Sequence, residues 1–211
     1  SNNVISVYED RSRAIWLATW GGGVCRFEPH QRAIAHFKLN DPEGIGPALN
    51  DVWSIWEAPS GNVWIGTFWG IHEVNRKGQA TRSFLNGPPD GAKYVLALSG
   101  ARSRLLWVGT AEGLILFNEG TGNVVRRYDL GGLPLESPSR NGICALLIDD
   151  AEKLWIGTMQ SGLLMLDPTS ASITRYVHNP GNERSLSHNS VRTIIADKNW
   201  NLWVGTLDGL N

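Results

Sequence analysis

An all-β fold, a β-propeller of four-stranded antiparallel blades, is what this sequence predicts, and three observations carry the prediction. One motif recurs five times: aligned on tryptophan, the copies read IWLATWGGGVCRFE at Trp16, VWIGTFWGIHEVN at Trp64, LWVGTAEGLILFN at Trp107, KLWIGTMQSGLLMLD at Trp155 and NLWVGTLDGLN at Trp203. The copies stand 48, 43, 48 and 48 residues apart, the spacing of one blade per repeat. No segment shows apolar residues at three- and four-residue intervals over the length of a helix.

Each repeat reads as four strands in order. NVISVYED, DVWSIWEA, YVLALSGA, GICALLID and SVRTIIAD align without gaps ahead of the tryptophans and form the first strand. Its column twelve residues before Trp is branched and apolar (Val4, Val52, Val95, Ile143, Val191), and the column ten before is small (Ser6, Ser54, Ala97, Ala145, Thr193). That suits an innermost strand, where blades crowd together. Polar turns such as PSGN and DAEK lead to the second strand, which carries Trp, an apolar residue, Gly or Ala, and Thr. The indole supplies buried area, and Ala18, Gly66, Gly109, Gly157 and Gly205 let a neighbouring blade approach. A glycine turn opens the third strand (VCRFEP, IHEVN, LILFN, LLMLD), and AIAHFKL, ATRSFL, VVRRYDL and SITRYVH form the outer fourth. Such a unit is not stable alone, so blades must cover one another.

These spans predict a single propeller over residues 1–211 with blades at about 1–48, 49–91, 92–139, 140–187 and a half blade at 188–211. About 4.5 blades are therefore expected, as part of a seven-bladed ring. The chain begins without Met and is expected to be an excerpt or a processed piece.

Composition narrows the function classes. A hydrophobic content of 42% with 18% charged residues is ordinary for a globular domain of 211 residues. A net charge of -1 gives no general pull toward nucleic acid or an anionic membrane, and neither partner is expected. The N-terminus lacks a signal-peptide pattern, and no apolar run approaches the length of a membrane span. Cys25 and Cys144 read as two small hydrophobes on different strands rather than as a disulfide. His30, His36, His72, His178 and His188 show no metal-ligand spacing, no glycine-rich phosphate loop appears, and no cofactor or metal is expected. Asp10, Asp149 and Asp197 recur six residues before Trp and read as turn residues.

At LWIGT, GLLMLDP and SLSHNSVRTIIAD the chain resembles the two-component regulator propeller repeat family, over essentially its whole length. The resemblance implies a periplasmic sensor module of hybrid histidine kinases and related signalling proteins, whose relatives often respond to oligosaccharides. It also implies that the rest of the sensor protein is a partner. Ala18 in place of Gly, and Lys93 where other repeats carry Asn, depart from the pattern. An incomplete ring would expose apolar faces and strand edges, so a homodimer is a further expectation.

Binding is expected on the face that holds the long links between blades (40–50, 86–93, 131–141 and 178–189) together with the second-to-third turns. Those turns vary where the rest repeats: Trp20, Phe68-Trp69, Ala111-Glu112, Met159-Gln160 and Leu207-Asp208. Trp20, Trp53, Phe68 and Trp69 are candidates to stack on a sugar ring, with Asn50, Gln160, Asn189 and Arg192 supplying hydrogen bonds. The alternative is that the aromatics pack under their own loops or against a blade. Asn2, Asn50, Asn141 and Asn189, fourteen residues before Trp, read either as a ring of ligand amides or as local turn caps. Arg192 stands in a column otherwise filled by Ile5, Trp53, Leu96 and Cys144, so its charge needs a partner or water. No catalytic constellation is assembled. A sensing module is thus the leading reading, with two alternatives: an enzyme similar to streptogramin lyase or propeller glycosidases, acting through His188 and Glu183, and a protein-interaction scaffold.

Overall fold

In a computed structural model, residues 3–39, 47–75, 79–85, 94–128, 130 and 142–211 are described. Five antiparallel sheets follow one another along the chain, one per repeat, with the strands of each sheet in sequence order. The first holds β1 (Val4–Glu9), β2 (Ile15–Thr19), β3 (Gly23–Glu28) and β4 (Ala33–Phe37). After a 3-10 turn, Pro47–Asn50, the second holds β5 (Val52–Glu57), β6 (Val63–Thr67), β7 (Gly70–Val74) and β8 (Ala80–Phe84). The third runs through β9 (Val95–Gly100), β10 (Leu105–Thr110), β11 (Gly113–Asn118) and β12 (Asn123–Tyr128). The fourth has β13 (Ile143–Ile148), β14 (Leu154–Thr158), β15 (Leu163–Leu166) and β16 (Ile173–Tyr176), and the fifth β17 (Val191–Ala196), β18 (Leu202–Thr206) and β19 (Gly209–Leu210).

The fold class is the expected propeller, but the blade count is corrected: the structure has five blades, not 4.5 of seven. The last repeat is more than a first hairpin, because Gly209 at φ +112° turns the chain so that Leu210 pairs with Gly205. Asn211 then exchanges two main-chain hydrogen bonds of 3.0 Å with Val204.

The chain divides into two compact units, residues 1–100 and 101–211. In the first, Trp16, Ala18, Val24, Val52, Ile55, Val63 and Ile65 form one core between the first two sheets. A Cβ on Gly66 would fall 2.7 Å from Val95 Cγ1 and 2.9 Å from its carbonyl oxygen, so glycine lets β9 seat against β6. Trp56 finds its place the same way, its ring lying where a Cβ on Gly100 would come.

In the second unit the repeat column acts alike. Cβ atoms on Gly109 and Gly157 would come within 2.6 Å of Ile143 Cγ2 and 2.7 Å of Val191 Cγ1. Trp107, Ile143, Leu154, Ile156, Leu164 and Leu166 make one core, and Ala145, Leu163, Val191, Ile194 and Val204 another.

Two polar devices repeat with the blades. The hydroxyls of Thr19, Thr67, Thr110, Thr158 and Thr206 each donate to the carbonyl of the glycine that opens the third strand, at 2.8 to 3.3 Å. Four of them also accept an amide inside the turn, from Trp69, Glu112, Ser161 and Asp208. The aspartate six residues before Trp closes the first hairpin and accepts the indole N–H: Asp10 from Trp16 and Asp149 from Trp155 at 2.8 Å, Asp197 from Trp203 at 3.4 Å. Burial works against ionisation of Asp10, yet hydrogen bonds from Ser12, Trp16 and Ala14 hold its carboxyl below the usual range.

Candidate functional site

A main-chain irregularity builds the site. Val52 pairs with Thr67 and Ser54 with Gly66, which leaves Trp53 as an extra residue in β5. The same bulge recurs at Ile5, Cys144 and Arg192. A bulge re-aims the side chain it carries. The column that the sequence marked as chemically odd is therefore a column of bulges beside the second-to-third turns.

In four blades those turns meet the start of the first strand through the main chain. Trp20 N donates to Asn3 O, Phe68 N to Asp51 O, Met159 N to Gly142 O and Leu207 N to Ser190 O, at 3.0 to 3.2 Å. In the first unit this brings four rings together. Trp53 stacks on Phe68 with centroids 5.2 Å apart and planes 15° from parallel, and Trp20 tilts onto Trp53 at 5.8 Å. Trp20 also meets Phe68 edge-on at 6.3 Å, and Tyr94 meets Phe68 edge-on at 4.7 Å. Trp20 is 49% exposed and Tyr94 37%, so the cluster opens to solvent. Tyr94 holds φ +57°, a left-handed conformation uncommon for an aromatic residue, with its amide on Phe68 O at 3.3 Å.

Sequence reasoning named three of these rings and missed Tyr94, which stands in a column with no repeated residue type. Trp69 goes elsewhere: it packs against the core between the first two sheets. The Asn50 amide is engaged with Leu39, its Oδ1 accepting from the Leu39 amide at 2.8 Å and its Nδ2 donating to the Leu39 carbonyl at 3.4 Å. Asn189 accepts from the His178 amide at 2.7 Å across the same eleven-residue interval, so both close the base of a link between blades. Asn2, Asn141 and Lys93 lie outside the described residues, as do 40–46, 86–93 and 131–141 of the long links.

In the second unit Gln160 and Arg192 are exposed. Burial pushes the Cys144 thiol up, and the Arg192 guanidinium beside it partly offsets the shift. Both cysteines are free. His188 Nδ1 accepts the Ser190 amide at 2.8 Å, and Glu183 is exposed. Among the described residues no group of His, Cys, Asp and Glu is placed to hold a metal, and no helix is long and apolar enough to cross a membrane.

No family model matches the chain, and no curated protein does. Among solved structures, the extracellular domain of BT4673 from B. thetaiotaomicron, described both as a one-component and as a hybrid two-component system, superposes on 100% of this chain with a TM-score of 0.79 at 21% identity. The extracellular domain of BT3049, a hybrid two-component system of the same organism, does so with 0.61 at 21%, and the WD40 β-propeller domain of Doa1 with 0.69 at 12% over 98% of the chain. This chain spans 27% of the BT4673 domain, 33% of BT3049 and 62% of the Doa1 chain. At these identities the likeness shows the fold.

Proposed function

We propose that this chain is a non-catalytic, extracytoplasmic ligand-sensing module of a bacterial two-component signalling protein, working in the periplasm and binding an oligosaccharide through the Trp20–Trp53–Phe68–Tyr94 cluster. The observation that carries the reading is that cluster: four rings on a rigid bulge-and-turn frame, with Trp20 half exposed beside a strained Tyr94. Sugar rings present an apolar C–H face to an aromatic plane and hydroxyls around it, so such a surface suits them. The fold shared with extracellular domains of signalling systems supports the location and the sensing role. Ligand binding there shifts an equilibrium that a separate output domain reads.

Titrating the protein with neutral oligosaccharides while following tryptophan fluorescence tests the reading. Trp20→Ala is expected to weaken binding by up to about tenfold, as loss of one stacking partner does, with an unchanged melting temperature. Unaltered binding by that variant sinks the assignment of the site.

A further inference from the structure

We infer that Asp51 and the Trp53 indole N–H are the polar half of the aromatic site, and that they take hydroxyls of an uncharged saccharide and exclude acidic ones. The inference rests on the oligosaccharide reading above and specifies its ligand. Asp51 is only 7% exposed, and its Oδ1 has no hydrogen-bond partner among the described residues. Trp53 Nε1, two residues on, is likewise buried and without a partner. No ion pair among the described residues engages Asp51. Leaving a buried carboxylate oxygen and a buried N–H unsatisfied is costly, and such groups persist where something else completes them.

Both groups belong to the cluster. The Asp51 carbonyl accepts the Phe68 amide, and a Cβ on Gly21, the residue after Trp20, would stand 3.5 Å from Asp51 Oδ1. Trp53 itself contacts the rings of Trp20 and Phe68. Of the two polar atoms, one is an acceptor and the other a donor. Hydroxyls suit both, since a hydroxyl can donate to the carboxylate and can accept from the indole, whereas an ammonium leaves the indole unspent and a second carboxylate is repelled by the first.

Two measurements on the same chain test this. In thermal unfolding Asp51→Asn is expected to melt at or above the parent temperature, since it removes a buried charge that has no protein partner; a clear drop would show that the carboxylate serves the fold, and overturns the inference. On an array of immobilised neutral and uronate-containing glycans, the parent is expected to retain neutral glycans only, and Asp51→Asn to lose them at least tenfold. Retention of acidic glycans, or an unaffected Asp51→Asn, overturns the Asp51 assignment while the oligosaccharide reading stands. An array that captures nothing, with Trp20→Ala indistinguishable from the parent, removes both.

Discussion

The second and fifth blades spell nearly the same strand, VWIGT and LWVGT, and treat it in opposite ways. In the second, all five residues are buried and Trp64 is fully so; in the fifth, Val204 alone is buried and Trp203 is 43% exposed. The difference lies in the covering strand. Gly66 receives Val95 of the next first strand, while around Gly205 a Cβ would meet only Thr193 of its own sheet. Val4, the corresponding knob of the first blade, is 49% exposed, whereas Val52, Val95, Ile143 and Val191 are at most 2% exposed. A repeat residue is a core residue only where a neighbouring blade makes it one.

The contrast can be broken most sharply at the tryptophans. Trp64→Ala is expected to cost about 4 kcal/mol, the usual scale for emptying a buried indole, and Trp203→Ala about 1 kcal/mol; comparable losses in urea unfolding would mean that position in the fold does not govern the indole's worth.

Next in size is a pH effect confined to the second blade. His72 is 2% exposed and burial lowers its pKa to about 4, a main-chain hydrogen bond at Trp69 only partly offsetting the shift. The folded value lies below the unfolded one, so the stability is fully present above about pH 6.5 and is lost as the pH falls toward 4. The expected loss is about 3 kcal/mol. Cys25, Ile115 and Leu164 hold the same cross-strand position in other blades, which makes His72→Leu the control that should flatten this part of the profile. An unchanged acid limb in His72→Leu contradicts the prediction.

Gly66→Ala is expected to destabilise by about 2 kcal/mol through overpacking against Val95, and Gly205→Ala by less than about 1 kcal/mol, since Thr193 is an exposed side chain with room to turn. Equal midpoints in denaturant for the two variants would refute it. The smallest contrast is at the aspartates. Asp149→Ala, which strands the Trp155 N–H and the Lys153 amide, should cost about 1 to 2 kcal/mol. Asp197→Ala, whose indole bond is long and exposed, should cost measurably less in the same assay.

Much of this frame was legible in the residues. The columns of branched apolar residues, small residues, threonine and aspartate each have a recurring chemistry because a contact recurs, the threonine bond in all five blades and the aspartate–indole bond in three. The bulge was not legible as a bulge: every blade for which the register is known carries it, so it leaves the repeat spacing unchanged and shows only as a column where Trp53, Cys144 and Arg192 refuse to agree. Asp51 and Tyr94 were missed for a related reason. Their column reads Asn3, Asp51, Tyr94, Gly142 and Ser190, and where the contact that repeats is made by the main chain, no residue type repeats. Trp69 misled because its neighbour Phe68 faces the ring cluster while Trp69 itself turns to the core. The two-residue β19 was too short to announce itself.

The threonine at the end of each second strand has one more consequence. Its hydroxyl ties the two strand ends together and in four blades takes up an amide of the turn, so the exposed side chains between, Trp20, Gln160 and Leu207 among them, are not needed to close it. Substitutions there alter what the surface offers without deciding whether the protein exists. A lineage carrying such a scaffold can trial new ligands one turn at a time, and failed trials leave it intact.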